Sequence, residues 1–70
     1  MKLHVSDIKT IGNRVFVEGI RNINIAGKWQ KRAFTTVFDA QYFADHVKQL
    51  KFPIVFDIKL VKGVGAQFNE

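Results

Sequence analysis

The sequence predicts an α+β domain of two layers, a small antiparallel or mixed sheet with one helix packed on it, in the order β-β-β-α-β. Three observations lead there. Runs rich in β-branched residues alternate apolar and polar positions before Asp39; the segment after Asp39 repeats its apolar residues at helical spacing; and Pro53 separates that segment from a last, cleanly alternating run. With 70 residues the chain cannot fill two hydrophobic cores. Residues 1–62 therefore read as a single α+β domain and 63–70 as a flexible C-terminal tail.

In the first strand Leu3 and Val5 alternate with Lys2, His4 and Ser6. Ile8 and Ile11 break that parity, which predicts a bulge or bend near Ser6-Asp7. Gly12-Asn13 is a turn signal, since both residues tolerate positive φ. From Arg14 to Ile25, Val15, Val17, Ile23 and Ile25 share one parity, and Phe16 and Ile20 lie on the other. Gly19 in the middle suggests a twist, a bulge or a close backbone approach. Ala26-Gly27 offers a tight turn into Lys28 to Phe38, making a hairpin. In this third strand Phe34, Thr36 and Phe38 share a parity, and Trp29, Lys31, Ala33, Thr35 and Val37 share the other.

Asp39 is the strongest helix signal, placed where a carboxylate can accept from free N–H groups of a first turn. Ala40, Phe43, Ala44, Val47 and Leu50 form one apolar stripe, and Lys48 and Lys51 complement the negative helix end. Pro53 stops the helix and biases Phe52 towards an extended backbone. Ile54, Phe56, Ile58 and Leu60 then alternate with Val55, Asp57, Lys59 and Val61, and Gly63-Val64-Gly65 ends the run. Phe43, Val47 and Leu50 are expected to pack on Ile54, Phe56, Ile58 and Leu60, together with Leu3 and Val5.

Several function classes are excluded by what the sequence contains. Without cysteine there is no disulfide framework, thiolate metal site or cysteine nucleophile, and a small unstapled domain fits the cytoplasm. No apolar stretch approaches the roughly 20 residues that cross a bilayer, so no membrane partner is expected. Neither does Met1 to Asp7 resemble a secretory leader. Tyr42, Asp45, His46 and Gln49 share a helix surface, but Asp45 and His46 are adjacent and point about 100° apart, which suits neither a catalytic pair nor a metal site. His4 sits on the polar parity of its strand. Lys62-Gly63-Val64-Gly65 lacks the glycine spacing and following helix of a phosphate loop. Neither catalytic residues nor metal ligands nor a cofactor are expected.

Binding is the remaining class, and the densest signal for it is Lys28-Trp29-Gln30-Lys31-Arg32, which places three cations beside the only tryptophan. Cations neutralise phosphates, and an exposed indole stacks on bases or fills a protein pocket. Arg21 and Arg14 extend this surface if strand pairing brings them to the same face. A formal charge of +5 favours a polyanionic partner. The leading expectation is a nucleic-acid-binding protein, for DNA or RNA, in which Lys28, Trp29, Lys31, Arg32, Arg21 and Arg14 face outward together. The alternative is an acidic surface on a protein partner, with Trp29 as anchor. A third is a structural or self-assembling subunit, monomer or homodimer, joined by open strand edges or a patch of Val55 and Val61 with Phe16 or Trp29.

No family-specific motif is present. The run Phe34-Thr35-Thr36-Val37-Phe38-Asp39, followed by a helix with alanines, resembles the strand-to-helix join of the three-stranded arm-binding domains of phage-type integrases. It departs from them in the strong fourth strand from Pro53 to Lys62. The β-β-α-β portion, about half the chain, is similar in topology to small phage proteins that bind and disable host polymerases or defence nucleases. The first resemblance implies contact with nucleic acid, and the second an inhibitor that binds a nucleic-acid enzyme.

Overall fold

The computed structural model of the chain describes residues 1–51 and 53–69. Its elements are β1(Lys2–Ile11), β2(Arg14–Ile25), β3(Lys28–Asp39), α1(Ala40–His46), β4(Ile54–Val61) and β5(Gly65–Phe68). The strand neighbours run β3-β2-β1-β4-β5, and every hydrogen-bonded pair is antiparallel. The expected sheet with one helix against it is present, but the order is β-β-β-α-β-β and the sheet is curled. Its two ends meet where a Cβ on Gly65 of β5 would stand 2.8 Å from the Val37 carbonyl oxygen of β3.

Residues expected as a C-terminal tail thus form β5, in which Ala66 is buried and pairs with Leu60. The turn before it uses Gly63 at φ 80°, and Gly65 itself lies at φ 109°, a conformation suited to glycine. A side chain at Gly65 would block the approach to β3. Ending the domain at Lys62 missed this closing strand.

The bulge falls at Ser6. Val5 pairs with Gly19 and Asp7 with Glu18, and the Ser6 hydroxyl donates to the Glu18 carbonyl oxygen at 3.1 Å. Because of this extra residue, Leu3 and Val5 face the core before the bulge and Ile8 turns to it afterwards. Gly19 is required by close approach, since a Cβ there would run into the His4 carbonyl oxygen.

Asp39 caps α1 as expected, accepting from the Tyr42 N–H at 3.0 Å. The Ala40 N–H donates to the Asn13 carbonyl oxygen at 2.9 Å, tying the helix start to the β1–β2 turn. The helix is shorter than its apolar stripe. Val47 is already extended, at φ −115° and ψ 103°, and Leu50 is 45% exposed instead of packed in the core. Phe43 is the helical side chain that reaches the interior, 5.1 Å from the Phe38 ring and 6.0 Å from Phe56. Leu60, also expected inside, is 56% exposed. The expectation for Phe52 lies outside the described residues.

Candidate nucleic-acid interface

The hairpin of β2 and β3 is built by its turn. Ala26 at φ 52° and Gly27 at φ 81° form a two-residue connection with both residues left-handed, whose twist matches the flanking strands. The Asn24 side-chain oxygen accepts from the Gly27 N–H at 2.9 Å and closes it. This turn sets the register: Ile25 with Lys28, Asn24 with Trp29, Asn22 with Lys31 and Arg21 with Arg32. β1 accompanies β2 only as far as the His4–Ile20 pair. Beyond it the two long strands pair with each other alone and form a two-stranded ribbon.

Between Glu18 and Asp39 the chain carries Arg21, Lys28, Lys31 and Arg32 and no carboxylate. Among the described residues the ion pairs are Met1 ammonium with Asp57 at 3.5 Å and Lys9 with Asp7 at 3.7 Å, so none of these four cations is neutralised. Trp29 is 72% exposed at the end of the same ribbon.

Strand alternation divides the predicted cluster. Trp29 and Lys31 stand on the face turned away from the core, beside Asn24 and Asn22. Lys28, Arg32 and Arg21 stand on the opposite face. There the Arg21 guanidinium carbon lies 4.3 Å from the centre of the Phe34 ring, and Arg21 Nη1 lies 3.8 Å from the Met1 sulfur. Arg32 donates to the Gln30 side-chain oxygen on that same side. Arg14 pairs with Asp39, ten residues along β3 from Trp29, a strand length of roughly 30 Å. It belongs to the other end of the hairpin. The expected single outward surface is therefore two cationic faces on one ribbon, with Arg14 apart from both.

On the outer face a recess of about 380 Å³ is lined by His4, Ile20, Asn22 and Lys31. Two of these, His4 and Ile20, belong to a register row across four strands, Ala33–Ile20–His4–Val55. Sequence reasoning missed His4, Ile20, Asn22 and Asn24 as companions of the cluster. The asparagines were within reach of it, because a two-residue turn at Ala26-Gly27 already places them opposite Lys31 and Trp29. His4 joins only through the β1–β2 register.

A second recess, of about 360 Å³, lies at the seam between β3 and β5 and includes Arg14, Asp39, Val37 and Val64. On α1, Asp45 accepts from Gln41 Nε2 at 3.0 Å, while His46 stacks on Tyr42 at 4.1 Å and its Nδ1 lies 2.8 Å from the Tyr42 carbonyl oxygen. Among the described residues no three His, Asp or Glu side chains gather where they could hold a metal ion, and no helix there is long and apolar enough to cross a membrane. The Asp57 carboxyl is held below the usual carboxylate range, chiefly by the Asn69 side-chain amide donating at 2.9 Å. The Met1 ammonium and Lys2 add to this, against desolvation, which acts the other way.

Comparison with protein-family models, with curated proteins and with solved structures finds no match to this chain.

Proposed function

We propose that this protein is a non-catalytic nucleic-acid-binding protein whose β2–β3 ribbon grips the phosphate backbone. The observation that carries the reading is the run from Gly19 to Phe38, with its four cations, no carboxylate and an exposed indole. Such a run gives the ribbon a positive potential that no neighbouring acid offsets, and each phosphate neutralised releases condensed counterions. Because the cations stand on both faces, the ligand must reach both sides of a thin ribbon. A flexible polyanion or a duplex groove does this; a single flat protein surface does not.

The fold adds support of a weaker kind. A β1–β2–β3 meander, a helix between β3 and β4, and β5 returning to β3 is the connectivity of the OB-type Greek-key barrel, whose strand 2–3 face serves oligonucleotides and oligosaccharides in other proteins. Lys31 and Trp29 both lie on the third strand here. Arg14, at the far end of the hairpin, has no part in this grip.

The test is a salt series of binding by the wild type and by a variant combining Lys28→Ala, Lys31→Ala and Arg32→Ala. Removing three phosphate contacts should flatten the slope of log affinity against log salt by about 2 units. A slope unchanged by the triple substitution would reject the ribbon as the interface. An acidic protein partner would instead co-purify at fixed stoichiometry after nuclease treatment.

A further inference from the structure

We infer that the recess formed by His4, Ile20, Asn22 and Lys31 is a base–phosphate subsite, so that the ligand on the outer face is a single-stranded nucleic acid. This rests on the nucleic-acid reading and narrows it. The recess is about 380 Å³, large enough for one nucleotide unit. Its chemistry is mixed in a particular way. Among the residues that line it, Ile20, 39% exposed, offers apolar surface, the His4 ring a flat one, the Asn22 amide one donor group and one acceptor for a base edge, and Lys31 an ammonium.

Trp29 completes the arrangement. It lies two residues from Lys31 on the same strand face, roughly 7 Å away along the strand. A phosphate held by Lys31 thus has one base directed into the recess and the next directed onto the indole. Both contacts use the flat face of a base, which is covered in a stacked duplex and open in a single strand.

The protein carries one tryptophan, so its fluorescence reports occupancy at Trp29 itself. The probes are a twenty-four-nucleotide oligo(dA), the corresponding fully paired oligo(dA)·oligo(dT) duplex held well below its melting temperature, AMP, and poly-glutamate as a non-nucleotide polyanion. We expect the single strand to quench Trp29 and to bind at least tenfold more tightly than the duplex. Asn22→Ala should weaken single-strand binding about tenfold, remove most of that preference and leave the salt slope unchanged. Equal binding of single strand and duplex, untouched by Asn22→Ala, would overturn the subsite while leaving the ribbon reading intact. AMP binding as tightly as the oligonucleotide would overturn the assignment to a nucleic-acid strand. No salt-sensitive binding to either nucleic acid, or poly-glutamate binding equally well, would overturn the ribbon reading with it.

Discussion

Ala26 carries a cost that its neighbour does not. At φ 52° it holds a left-handed backbone that an L side chain disfavours by about 1–2 kcal/mol. Asparagine tolerates that region far better, and Asn-Gly is the preferred pair for this turn. Ala26→Asn should therefore raise stability by about 0.5–1 kcal/mol, read as a higher urea midpoint with an unchanged slope. An unmoved or lowered midpoint would mean that the turn is not strained at residue 26. Asp57 supplies a second prediction at this scale. Its folded-state pKa is depressed, so its contribution to stability is present above the unfolded-state value and is lost as pH falls through the folded one. Asn69→Ala removes the largest cause of that depression. The Asp57 titration midpoint, followed by NMR, should move upward in the variant, and acid unfolding should begin at higher pH. A midpoint that stays in place would assign the depression to the Met1 ammonium instead.

At the scale of elements, the features written in adjacent residues were legible. The slip in parity after Val5 marked the bulge, Ala26-Gly27 marked the hairpin turn, and Asp39 marked the helix start. α1 was read too long because Val47 and Leu50 continue its apolar spacing, whereas the helix ends at His46, with Phe43 buried and Ala40 and Tyr42 packed against the core. β5 was missed because four residues beginning at glycine carry almost no alternation, and their place is set by β4 and by the approach of Gly65 to Val37. The charge of the β2–β3 ribbon was legible as a cationic cluster around Trp29. Its division into two faces was also implicit in parity, since Trp29 and Lys31 are odd-numbered positions of the strand while Lys28 and Arg32 are even-numbered ones. What spacing within the hairpin could not supply was His4, which reaches the outer recess through pairing with Ile20, on the far side of the Ser6 bulge from most of β1.

For the molecule as a whole, the ribbon projects from a small core whose weight rests on aromatic rings. Phe38 packs with Phe43, Phe56 and Phe68 at 5.1, 6.4 and 4.9 Å, and Tyr42 joins them while its hydroxyl accepts from the Phe68 N–H at 2.9 Å. That cluster binds helix, β3, β4 and β5 together. Truncating Phe43 to alanine should cost about 3–5 kcal/mol, a large share of what a domain of this size possesses. Thermal or urea unfolding reads the loss, and a cost below about 1 kcal/mol would show that α1 is not an integral part of the core. Ribbon and core are separable in this picture. Lys28, Lys31 and Arg32 touch none of the aromatic cluster, so neutralising them should leave the unfolding midpoint nearly unchanged while altering binding.

The most direct measurement is the quenching of Trp29 fluorescence by a short oligonucleotide at about 50 mM and about 200 mM salt. With four phosphates neutralised by Arg21, Lys28, Lys31 and Arg32, the dissociation constant should rise on the order of 50-fold between the two. An affinity that is the same at both, or an indole that does not respond at all, would contradict a nucleic-acid interface on the β2–β3 ribbon.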